Sequence, residues 1–64
     1  MNVERVADRV RAEFEEMPGM TLTVLQASRL FGLDTDECRV IVEKLVKSSY
    51  LRWTQTGSVT RAIS

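Results

Sequence analysis

Residues 27–33 read Ala27-Ser28-Arg29-Leu30-Phe31-Gly32-Leu33, and the chain continues through Asp34-Thr35-Asp36-Glu37 to apolar positions at Cys38, Ile41 and Leu45. A small residue at 28 is followed four positions later by Gly32, then by Leu33. Apolar side chains return six and nine positions after the glycine. Each part has a physical reason. A small side chain lets two helices approach, glycine makes a sharp turn, and the later apolar residues fill the angle between the helices. Local signals frame both helices. Thr23-Val24-Leu25-Gln26 has the form of a capping box, in which threonine and glutamine satisfy orphan amides at a helix start. Gly32 suits the left-handed residue that closes a helix. Asp34 and Glu37 offer a second capping box. The helix they open is predicted to run to about Ser48. Cys38, Ile41, Val42 and Leu45 form its inward stripe, and Asp36, Val40, Glu43 and Lys47 lie opposite, flanked by Arg39 and Lys44.

Working outward, Val3, Val6, Ala7, Val10, Phe14 and Met17 recur at three- and four-residue steps. That spacing predicts an amphipathic helix over 3–17, capped by Asn2. Pro18-Gly19 stops it, since proline disfavours helical geometry before it and glycine accepts left-handed angles. Met20-Thr21-Leu22 is predicted as a very short strand at most. The helix over 24–31 is apolar over most of its circumference and is expected to be buried by its neighbours. After residue 49 the period changes. Tyr50–Thr54 and Val59–Ile63 are β-prone runs around Gln55-Thr56-Gly57-Ser58, a hairpin pattern. A two-residue Thr56-Gly57 loop would pair Arg52 directly with Arg61. Like charges opposite one another destabilise a sheet, so that pairing makes sense beside an anion; a different register would leave two solvated arginines.

In order and spacing, the whole chain resembles a winged helix-turn-helix domain. The positions that carry the resemblance are Ser28, Gly32, Leu33, Cys38 and Ile41, with a helix before them and a hairpin after. The fold expected for residues 1–64 is therefore one domain, mainly α with a small β-hairpin. A plain three-helix bundle with an incidental hairpin is the competing arrangement. The resemblance implies a DNA-binding regulator of bacterial style, with the third helix in the major groove and the hairpin wing on phosphates. Carried over by position, the groove-facing residues are Thr35, Asp36, Arg39, Val40, Glu43 and Lys44. The wing residues are Arg52, Thr54, Gln55, Thr56, Ser58 and Arg61. Double-stranded DNA is the expected partner, and a homodimer is expected because one small domain makes few contacts. The exposed first helix and the apolar second helix are the expected dimer interface.

Composition sets the bounds. Sixty-four residues, 44% hydrophobic and 28% charged, suit one small soluble domain that buries roughly 60% of its unfolded surface. That leaves no room for a sizeable substrate pocket, and no small-molecule substrate or cofactor is expected. The chain has no histidine and one cysteine, so it forms no Ser-His-Asp triad, two-His zinc site or internal disulfide. Enzymatic work is not expected. Neither a hydrophobic signal core nor a span of roughly 20 apolar residues is present, so the expected setting is the cytoplasm, off the membrane.

Charge cuts both ways. Nine basic and nine acidic residues cancel, but residues 1–43 carry −4 and residues 44–64 carry +4, with no acid after Glu43. The second stretch is also rich in serine and threonine, which donate to phosphate. Asp34, Asp36 and Glu37 crowd the start of the third helix, where they suit the macrodipole but oppose a phosphate field. The rival function is a winged-helix protein-interaction module without DNA binding. Val40 reads as a contact to a thymine methyl or a partner protein, or as an inconsequential exposed valine. Trp53 reads either as an anchor of the hairpin or as a stacking surface, and Cys38 as core packing.

Overall fold

The Asn2 side chain accepts the backbone N–H of Arg5 and opens α1, Val3–Glu16. Ala7, Val10 and Phe14 are its buried residues, and Val3 and Val6 pack at the margin of the same core. The sequence pattern extends this stripe to Met17, and there the structure departs from it. Met17 has φ −131° and ψ 73° and is exposed, because the Pro18 ring excludes helical geometry in the residue before it. Gly19 does not take the left-handed angles expected of it; among the described residues, Gly32, Gly57 and Ser49 have positive φ. This computed structural model describes residues 2–62, so Ile63, the end of the last β-prone run, lies outside the described residues.

Both capping boxes form. The Thr23 hydroxyl accepts the Gln26 amide at 3.0 Å, and the Gln26 side chain accepts the Thr23 amide, opening α2 (Val24–Phe31). Asp34 and Glu37 do the same for α3 (Thr35–Lys47). Between them Gly32 turns at φ 69°, and the Leu33 amide reaches back to the Ser28 carbonyl. Ser28 is buried where the helices meet, its hydroxyl donating to the Leu25 carbonyl. The inward stripe of α3 is Cys38, Ile41, Val42 and Leu45, all buried. Through it α3 packs on α1, on α2 and on the first strand of the hairpin.

α2 is less enclosed than its composition suggests. It rests on α3 and on the preceding strand, so only one arc is covered. Ala27, Ser28 and Phe31 lie there, while Leu25 and Leu30 are 50% and 48% exposed.

The short strand before α2 is real: β1, Leu22–Thr23, pairs antiparallel with β3 (Ser58–Arg61), which also pairs with β2 (Leu51–Trp53). The sheet order is β1-β3-β2, so the hairpin is held by a third strand and is not incidental to a bundle. The result is a winged-helix-like arrangement of three helices and a β2–β3 wing. The wing register corrects the pairing expected from a two-residue loop. Leu51 faces Arg61, Arg52 faces Thr60 and Trp53 faces Val59. The Thr54 amide donates to Ser58 O at 2.8 Å, and the Gly57 amide donates to Thr54 O with Gly57 at φ 81°. That is a three-residue loop, a turn followed by a left-handed glycine bulge. One extra loop residue moves each pairing by one, so Arg52 and Arg61 fall on opposite faces of the ribbon. No helix among the described residues is long and apolar enough to cross a membrane.

Two helix ends make opposite predictions. Gly32 and Ser49 both close helices in the left-handed region, Ser49 at φ 66° with Tyr50 N–H bonded to the Leu45 carbonyl. Open space surrounds the position of a Cβ on Gly32, so backbone geometry alone sets the effect there. Gly32→Ala should lose about 1 kcal/mol in urea unfolding, and Ser49→Gly should gain up to about 1 kcal/mol.

Candidate nucleic-acid interface

The outward face of α3 follows from its inward one. With Ile41 and Leu45 buried, the 3.6-residue period turns Asp36, Arg39, Val40, Glu43 and Lys47 to solvent. All five are exposed, as is Thr35 at the first turn. Lys44 lies at the edge of this face and is half-buried, its Nζ 2.8 Å from Oε1 of Glu4 on α1. The α3 candidates therefore share one surface, with Lys44 already neutralised.

The wing candidates divide. Arg52, Gln55 and Thr56 are exposed, the last two in the loop. The Thr54 hydroxyl accepts the Ser58 amide and pairs with the Thr56 hydroxyl at 3.0 Å, which holds the turn. Ser58 is buried. Arg61 faces the helices, its side chain 14% exposed. Its Nη1 lies 2.9 Å from Oε2 of Glu15, and its guanidinium stacks 4.3 Å from the centroid of the Tyr50 ring. The Tyr50 hydroxyl donates 2.6 Å to that same Glu15 oxygen and also lies 3.0 Å from the Arg11 carbonyl. Arg61, Tyr50 and Glu15 thus tie the wing to α1, and Arg61 is a structural cation.

Half of the basic charge after residue 43 is therefore matched within the fold. Glu4 takes Lys44 and Glu15 takes Arg61. Arg39, Lys47 and Arg52 hold no ion pair among the described residues and are exposed on α3 and the wing. Asp36 and Glu43 lie on the same α3 face and keep it electrostatically mixed.

Between α3 and the wing lies an open cleft of about 430 Å³, lined by Val40, Glu43, Lys44, Val46, Lys47 and Trp53. Val40 is 51% exposed and Trp53 37%, so the tryptophan leans against α3 while leaving much of its ring in the cleft. Lys47 and Trp53 are absent from the site expected by position. Lys47 is legible in retrospect, four residues after Glu43 on the same stripe. Trp53 is not, because its direction depends on the wing register. Cys38 is buried in the core and its thiol pKa is raised by that burial, which suits packing rather than chemistry.

The tie between wing and α1 has a pH signature. The Tyr50 hydroxyl pKa is raised above the ordinary 10.0, first by burial and then by its bond to Glu15. The folded chain holds the phenolic proton more tightly than the unfolded one. Its contribution is complete below pH 10 and drains away as pH rises through the raised folded value. Tyr50→Phe should lose about 1 kcal/mol in urea unfolding at neutral pH. Its deficit relative to the unsubstituted chain should shrink above pH 10.

No family model, curated protein or solved structure matches this chain.

Proposed function

We propose that the chain is a small cytoplasmic DNA-binding regulator of the winged helix-turn-helix kind, laying α3 in the major groove and its wing tip on phosphates. The observation that carries this reading is the exposed outward face of α3, which shares a cleft with Trp53 of the wing. Thr35, Asp36, Arg39, Val40, Glu43 and Lys47 are all exposed, Trp53 of the wing shares a cleft with Val40, Glu43 and Lys47, and Gln55 and Thr56 are exposed in the wing loop. A helix face of this kind fits the width of a major groove.

Roles follow from chemistry. Arg39 presents the planar fork that pairs with guanine O6 and N7. Lys47 and Arg52 supply free positive charge to phosphates, and Gln55 and Thr56 donate hydrogen bonds to the backbone. Asp36 and Glu43 oppose the phosphate field but accept from a cytosine amino group, which lowers nonspecific affinity more than specific affinity. Two copies on two-fold related half-sites supply the contact area that one domain lacks. The exposed Leu25 and Leu30 of α2 are the apolar surface on offer between them.

The ion pairing of Lys44 and Arg61 favours a second reading, a protein-interaction module on the same face, because it withdraws two cations from phosphate. A salt series by fluorescence anisotropy on duplex DNA separates the two. Three free cations set a slope of log affinity on log salt no steeper than about −3 per copy. Lys47→Ala and Arg52→Ala should each flatten that slope by about 1. Arg61→Ala should leave the slope alone and lower the thermal midpoint. Undetectable binding at low salt overturns the DNA reading. Sedimentation of the free and DNA-bound chain tests the pairing of copies, which a single-copy complex on a two-fold site would overturn.

A further inference from the structure

Two cations from the basic end of the chain are matched by carboxylates of α1, and the two matches differ in kind. Arg61 is enclosed, stacked on the Tyr50 ring and bonded to Glu15, so it cannot leave without loosening the wing. Lys44 is held by one contact. Its Nζ lies 2.8 Å from Oε1 of Glu4, and the two side chains are 39% and 72% exposed. Lys44 also lines the cleft with Val40, Glu43 and Lys47, at the edge of the α3 face proposed to meet DNA. Resting on that DNA-binding reading, we infer that Glu4 is an autoinhibitory carboxylate: it stands in for a phosphate oxygen at Lys44 and lowers the affinity of the α3 face for duplex DNA.

The competition follows from the chemistry of the ammonium. Lysine carries a compact charge with three donors on a flexible stem, and it takes a carboxylate or a phosphate oxygen on the same terms. Glu4 is tethered beside it on the first turn of α1, whereas a duplex arrives from solution. Exposure limits the effect, since a pair open to water changes an equilibrium by no more than about fivefold. The carboxylate is not needed to build α1. Asn2 caps that helix, and Ala7, Val10 and Phe14 bury its inner side.

The test removes the charge of Glu4 and keeps its size. Fluorescence anisotropy on duplex DNA, repeated across a salt series, compares the unsubstituted chain with Glu4→Gln. Glu4→Gln should bind up to about fivefold tighter at low salt. Its slope of log affinity on log salt should steepen by about 1, the mark of one more cation on phosphate. Glu16→Gln removes the same charge about 18 Å further along α1 and should leave the slope alone. Combining Glu4→Gln with Lys44→Ala should abolish the gain, and circular dichroism confirms that each variant is folded. Affinity and slope unchanged in Glu4→Gln overturn the inference and leave the DNA reading standing. So does an equal gain in Glu16→Gln, or a gain that persists in the double variant. Undetectable binding by the unsubstituted chain at low salt overturns the DNA reading and this inference with it.

Discussion

The buried stripe of α3 is the constraint on which the rest of the molecule depends. Ile41 and Leu45 are fully enclosed, and Cys38 and Val42 nearly so. α1, α2 and β2 all pack on the helix that carries them. In a chain of 64 residues there is one core, and a helix at its centre cannot also lend its opposite side to packing. Burying this stripe therefore turns Asp36, Arg39, Val40 and Glu43 outward together. The candidate interface is the reverse side of the hydrophobic core.

A second constraint comes from charge. A chain whose first two-thirds is acidic and whose last third is basic folds so that α1 carboxylates meet cations of α3 and the wing. Glu15 does most here, accepting from both Tyr50 and Arg61, with the arginine lying over the tyrosine ring. The arginine is mostly covered while the Glu15 carboxylate stays exposed, so the tie rests on charge-assisted hydrogen bonds whose geometry the fold sets. Its consequence is a wing of fixed orientation, bought with a cation that a count along the sequence had assigned to phosphate. The surface left over is balanced, which suits selective contact better than strong general attraction to polyanions.

Much of the fold was legible because it rests on short-range chemistry. The Thr23 and Asp34 capping boxes, the left-handed Gly32 and the inward stripe of α3 all depend on residues within a few positions of each other. The end of α1 was missed by one residue because the stripe pointed to Met17, while proline geometry acted on that same residue. The burial expected of α2 failed because hydrophobic composition does not say how many sides have neighbours. The wing register stayed open because a loop of two residues and a loop of three both accommodate Gly57. The α3 part of the site was legible for the same reason as its core, since one period defines both faces.

What the sequence determined by itself was the set of helices, their caps, the inward and outward sides of α3, and the existence of a hairpin. These follow from hydrogen bonds and periodicities that close within a turn or two of chain. Only the tertiary structure decided that Arg61 is tied to Glu15, that Lys44 is tied to Glu4, and that Trp53 opens a cleft beside Val40. Those contacts join residues far apart in sequence, and their partners depend on strand register and helix packing angle. A single added loop residue inverts the faces of one wing strand relative to the other, and no local pattern records that choice.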